Sequence, residues 1–185
     1  ANVWTNPGEI PGNGIDDDHN GYIDDIHGYD VVHHDGDPMD DHGHGTHCAG
    51  IASGHGVSGQ TGIDGVAPGA WLISMKLGDN RLSGGATRTE SMTRAYQHAA
   101  EFGETYGLPV VVNMSFGKGY SPAKASVDSA VRYAASKGVL LVHAAGNEGE
   151  DNDETPSYPT PVLSGSPRAD NWIEVGASSW KPLAA

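Results

Sequence analysis

The 185 residues carry a formal charge of −14, with 24 Asp and Glu against 10 Lys and Arg, and 27 of them are glycine. No Lys or Arg precedes Lys76, while eleven of the 24 acids fall in residues 1–41, so the chain lacks the basic footprint of a nucleic-acid binder and attracts cations instead. A single cysteine excludes an intrachain disulfide, and no apolar run approaches the ~18 residues of a membrane span.

Residues 1–41 are rich in Gly, Asp and Asn, show little periodicity and read as ordered loop. Within them Asp16-Asp17-Asp18-His19-Asn20-Gly21-Tyr22 has the opening spacing of an EF-hand-type calcium loop. Asp16, Asp18 and Asn20 would supply side-chain oxygens, Gly21 the sharp turn, and Tyr22 its carbonyl. His27 stands where a bidentate Glu normally closes the shell, so Asp24 or Asp25 is expected to close it. The expected cofactor is a structural Ca²⁺; the plainer alternative is a solvated acidic turn.

Next comes a histidine-rich stretch, Asp41-His42-Gly43-His44-Gly45-Thr46-His47-Cys48-Ala49-Gly50. Residues 44–54 read as a buried helix of small side chains. His44 and Cys48, four apart, share its face. A thiol is inert unless its surroundings lower its pKa, so packing is the better reading of Cys48 than catalysis. His42, His44 and His47 have a spacing that could also ligate a metal.

Residues 71–76 form a short apolar strand. Thr87-x-x-Glu90 is a capping-box signature, and Met92, Ala95, Tyr96, Ala99 and Phe102 then recur at helical spacing. The β-branched run at 109–114 reads as a strand covered on both faces. Ser121 and Pro122 suit the N-cap and first position of a second helix, Val127, Ala130, Val131 and Ala134 its inner stripe, and Gly138 its end. A strand follows at 139–142. Two consecutive βαβ units imply a parallel sheet and an α/β layer fold. Residues 150–170, acidic and proline-rich, read as an exposed, stiffened loop, and 172–177 as a last strand.

In such sheets ligands bind beyond the carboxyl ends of the strands. Ser115-Phe116-Gly117 and Ala144-Ala145-Gly146-Asn147-Glu148-Gly149 stand there, small enough to admit an extended chain, with the Asn147 amide able to face an oxyanion. Together with His44-Gly45-Thr46-His47-Cys48-Ala49-Gly50, these motifs resemble, in order and spacing, those of the subtilisin-like serine peptidases, or subtilases.

The resemblance implies a three-layer α/β/α fold with a mainly parallel sheet. Residues 1–41 would be a calcium-binding-type insert and 42–185 an α/β core. It makes His44 the general base and Asn147 the side-chain donor of the oxyanion hole. Ser115, Phe116 and Gly117 would be one backbone edge pairing with an extended polypeptide substrate, and Leu82, Ser83 and Gly84 the opposing edge. Ala144, Ala145 and Gly146 would wall the specificity pocket, and His47 would be structural. A secreted or extracellular location follows by the same analogy.

No segment of this sequence matches the family's aspartate strand or its serine motif; Ser178 and Ser179 do not fit the latter. The domain is therefore expected to be incomplete at both ends, its partners including N- and C-terminal portions of the same protein. The chain alone is expected to be inactive, since loss of the nucleophile costs about 10⁶ in kcat, a magnitude borrowed from subtilisin itself. Two rival readings are a non-catalytic, calcium-stabilised peptide-binding module and, on the histidine spacing, a metal-dependent hydrolase.

Overall fold

Short apolar runs alternating with helical repeats fold as an α/β chain. The computed structural model describes residues 2–56, 62–78, 89–165 and 167–178. Their elements are β1 (Gly28–Asp30), α1 (His44–Ser53), β2 (Ser74–Lys76), α2 (Thr89–Tyr106), β3 (Val111–Met114), α3 (Lys124–Ser136), β4 (Leu140–Ala144) and β5 (Trp172–Val175). The chain divides into two compact units, Ala1–Ser91 and Met92–Ala185.

The first unit is mostly loop, with one addition. β1 lies inside the stretch read as loop and pairs in parallel with β2, Tyr29 opposite Met75. Three residues are too few for a period-2 pattern to register, so pairing rather than propensity makes this strand. At Gly28 (φ 123°) a Cβ would collide with the Ser74 carbonyl, so only glycine lets the two backbones meet. Tyr22, Tyr29 and Val31 form a small core flanked by Met75 and Leu77, the two tyrosine rings edge to face at 4.8 Å.

Helix α1 spans nearly the residues expected, but it is not buried. Only Ser53 is fully buried, and Ile51 is 56% exposed. Its small side chains form no single apolar stripe. The two three-residue strands of this unit cannot enclose it. Its C-terminal end is fixed: Gly65 N–H bonds the Gly54 carbonyl at 2.8 Å, Val66 that of Ile51 at 2.9 Å, and Ala67 that of Ala52 at 2.8 Å.

In the second unit β3, β4 and β5 form a parallel sheet in that order. Register places Val112 beside Leu141 and Trp172, and Met114 beside His143 and Glu174. These rows make the shielded face; Val111, Ile173 and Val175 on the other are about half exposed or more. The expectation that β3 is covered on both faces is not met among the described residues, where Val111 is 61% exposed. The β3–α3–β4 unit is as read, and within the first unit β2 pairs with β1.

Helix α2 buries Met92, Ala95, Tyr96 and Ala100, and the Tyr96 hydroxyl meets the Met114 sulfur at 2.9 Å. The expected capping threonine, Thr87, lies outside the described residues. Helix α3 buries Val127, Ala130, Val131 and Ala134 as expected. It starts at Lys124 rather than beside Pro122, because residues 122 and 123 form a turn and Ala123 holds the cap position. The loop after β4 is not exposed throughout. Pro159, Thr160, Pro161 and Leu163 are buried, and Lys124, Asp128 and Arg132 of α3 bond the backbone of Val162 and Ser164.

Candidate active site

His44 opens α1 with its side chain exposed. What fixes the helix start is Asp40, four residues upstream. Its carboxylate accepts the N–H groups of His42 (2.9 Å), Gly43 (2.8 Å) and Thr46 (2.8 Å) and the Thr46 hydroxyl (2.6 Å). It thus satisfies helix-terminal donors that the cap residue Gly43 cannot reach. These hydrogen bonds, the Thr46 hydroxyl first, hold the Asp40 carboxyl well below the usual range.

The neighbouring carboxylate, Asp41, is tied to β2. Lys76 Nζ stands 3.3 Å from it and 3.1 Å from the buried Asp30 on β1. Burial alone would raise the Asp30 pKa, but His33 at 2.8 Å, Lys76 and backbone amides hold it low. The loop leading into His44 is therefore pinned at both Asp40 and Asp41. Cys48 is half-buried, its sulfur 3.9 Å from His44 Nε2, one helical turn along the same face.

In the acidic loop, Glu9, Asp16 and Asp18 each bring a carboxylate oxygen within 4.8 Å of the others. Sequence spacing gave Asp16 and Asp18 but missed Glu9, which lies upstream of the motif. Glu9 is buried and accepts the N–H groups of Asp17 (2.9 Å), Asp18 (3.2 Å) and Asp24 (3.0 Å). Asn20 sits among them, its side-chain amide 3.0 Å from Asp25 and its oxygen accepting the Tyr22 N–H at 2.8 Å. The Asp24 carboxylate is occupied by the N–H groups of Gly12, Asn13 and Gly14. Asp25 shares Asn6 and Asn20 with Asp18; burial, then the charges of Asp18 and Glu9, push its pKa up to about 6 despite those hydrogen bonds. Among the described residues the metal-capable group is Glu9, Asp16 and Asp18, and it does not include His42, His44 or His47.

The remaining site residues belong to the second unit. Ser115, Phe116 and Gly117 continue β3 past its last pair, and none of them makes a backbone–backbone hydrogen bond with the described residues. That is an edge open to strand addition. Lys118 then pairs with Tyr158 in antiparallel fashion, which brings Ser157 against Gly117. Ala144 ends β4, and Ala145 N–H bonds the Val175 carbonyl at 2.9 Å. Gly146 takes φ 103°, which a side chain would strain. The exposed Asn147 follows, its N–H held by Glu148 at 2.8 Å. Leu82, Ser83 and Gly84 lie outside the described residues.

Under this edge lies a group that sequence reading missed. His143 on β4 is 1% exposed, and both ring nitrogens lack a hydrogen-bond partner. Burial pushes its pKa down, although Glu174 and the Phe116 backbone oppose this. An unpaired buried polar group costs about 1–3 kcal/mol. The available signal was a histidine interrupting the apolar run Val139-Leu140-Leu141-Val142.

Comparison with known proteins agrees with the motifs. The family model described as "Subtilase family" matches residues 6–182. Thermitase of Thermoactinomyces vulgaris is 36% identical over 133 residues, 72% of this chain and 44% of that protein. Subtilisin-like protease 1 of Plasmodium berghei (strain Anka) is 33% identical over 148 residues, 80% of this chain and 23% of that protein. Among solved structures, Sphericase aligns with a TM-score of 0.60 at 38% identity, over 74% of this chain and 40% of the other. The chain thus spans less than half the length of these relatives. The likeness carries with it the three-layer α/β/α subtilisin-like fold.

Proposed function

Because the chain belongs to the subtilase family, we propose that it is the central part of a serine endopeptidase catalytic domain. The observation that carries this reading is the exposed His44 at the first position of α1, with its loop clamped by Asp40 and Asp41. His44 is the general base: it takes the proton of a serine hydroxyl as that oxygen attacks the peptide carbonyl, then returns it to the leaving amine. Asn147 donates its side-chain amide to the tetrahedral oxyanion. Ser115, Phe116 and Gly117 pair with the extended substrate as an added strand, and the small residues Ala144, Ala145 and Gly146 leave a broad specificity pocket.

One triad member does not make a catalyst. The 185 residues by themselves are inactive on this reading, because no segment of the sequence matches the family's serine or aspartate motif, which would give His44 a hydroxyl to deprotonate and a carboxylate to fix its tautomer. The working enzyme is the full-length protein, secreted as its relatives' family suggests.

The acidic loop binds Ca²⁺ as a structural ion. Its donors are all oxygens, as a hard cation requires, and Glu9, Asp16 and Asp18 already converge. Asn20 and the Tyr22 carbonyl complete the set read from sequence. The ion offsets the mutual repulsion of these carboxylates and stiffens the loop; it takes no part in the hydrolysis.

The test is covalent labelling of the full-length protein with a fluorophosphonate, which reacts with activated serine nucleophiles. Labelling that vanishes in His44→Ala is the expected result. An unlabelled parent that still binds peptides would favour the non-catalytic module instead.

A further inference from the structure

Met114, His143 and Glu174 stand side by side at the carboxyl ends of β3, β4 and β5, on the shielded face of the sheet. The residues immediately following in β3 and β4 are the substrate edge, 115–117, and the pocket wall, 144–146. His143 Nε2 lies 3.8 Å from where a side chain on Gly117 would begin, and the Phe116 backbone faces the same ring. On its other side Nδ1 is 3.8 Å from Glu174 Oε1, while Trp172 packs on the ring at 5.4 Å. Glu174 is itself gripped: Asn152 donates to its Oε1 at 2.7 Å, and the same amide donates to the Ala145 carbonyl at 2.9 Å. Arg168 approaches its second oxygen at 3.8 Å. Polar groups therefore stand in a row from the Phe116–Gly117 backbone past the His143 ring to Glu174, Asn152 and Ala145, hydrogen-bonded at the Asn152 end and 3.8 Å apart at His143 and Glu174.

We propose that His143, Glu174 and Asn152 form a buried brace that fixes the gap between the 115–117 edge and the 144–146 wall, and so sets how tightly an extended peptide is held. The inference rests on the peptidase reading above and deepens it. None of the three touches the reacting atoms; they are positioning residues. Their effect is on binding shared by substrate and transition state, which moves KM and leaves kcat in place. Leucine at 143 would fill similar space but would put no polar atom between the Phe116 backbone and the Glu174 carboxylate. Glutamine would.

The experiment measures kcat and KM of the full-length protein on a peptide substrate. His143→Leu is expected to raise KM about tenfold with kcat within about twofold, the signature of lost uniform binding. His143→Gln is expected to recover most of that loss. Asn152→Ala, at a half-buried site that tolerates truncation, is expected to raise KM by about threefold to fivefold on the same grounds. If His143→Leu does not fold, Asn152→Ala and His143→Gln still decide. Unchanged KM in the folded variants, or equal losses in kcat that glutamine does not restore, would overturn the brace alone. No turnover by the unmutated protein would overturn the peptidase reading and the brace with it.

Discussion

In the first unit the residues withdrawn from water include Asn6, Glu9, Asp25 and Asp30; in the second they include Met92, Tyr96, Met114, Val131 and Leu141. The acidic loop is shaped by carboxylates accepting backbone N–H groups, Glu9, Asp16 and Asp24 each bonding two or more. The sheet and helices of the second unit are shaped by apolar burial. The difference teaches that one chain can use two sources of order with different sensitivities. Carboxylate networks fix a loop in one shape but gather like charges, so they respond to cations and pH. An apolar core is indifferent to both.

The largest expected effect comes from removing the Ca²⁺ proposed for the acidic loop. At a thousandfold excess over its Kd, a bound ion adds about 4 kcal/mol to the state that holds it. Chelation of calcium-loaded protein is therefore expected to speed amide exchange at Asp17, Asp18, Asn20 and Gly21 by about a thousandfold, with β3 and β4 amides unmoved. Equal loss in both units would break the contrast. Next is Leu141→Ala, at a site with 0% exposure, expected to cost about 3 kcal/mol in the second unit while leaving calcium affinity unchanged.

Asp128 sharpens the comparison from the other side, because it is a carboxylate buried within the apolar unit. Burial alone would raise its pKa, but Lys124 at 2.7 Å and the Ser164 N–H at 2.7 Å hold it low. A depressed folded pKa contributes stability that is complete above the unfolded value of about 3.9 and is lost as pH falls through the folded one. Asp128→Asn is expected to cost about 1–2 kcal/mol at neutral pH, less than a fully buried pair since Lys124 is partly exposed. It should also flatten the fall in stability below about pH 4. An unchanged acid limb in denaturant titrations would contradict this. The smallest effect belongs to Asp40→Ala, expected to cost about 1 kcal/mol and felt as faster exchange of the Thr46 amide.

Much of this was legible in the sequence. The α3 stripe at Val127, Ala130, Val131 and Ala134 has helical spacing and is buried as read. The glycine-framed motifs around His44 and Asn147 are specific enough for the family to be read without coordinates. What stayed hidden depends on contacts distant in sequence. β1 exists through pairing with residues 46 positions later, Gly28 against Ser74. Glu9 joins the acidic cluster by a chain reversal that no spacing rule encodes. The exposure of α1 is not legible either, because small side chains signal close packing without saying what packs on them. His143 and Glu174 meet through strand register, which sequence pattern does not specify.

The central claim is that His44 is the base of a serine peptidase. Peptide-bond hydrolysis by the full-length protein, compared with its His44→Ala variant, tests it most directly. The expected result is turnover in the parent and a fall in kcat of about 10⁶ in the variant, as for triad histidine loss in subtilisin, with peptide binding retained. Turnover that survives His44→Ala with an unchanged rate would contradict the account.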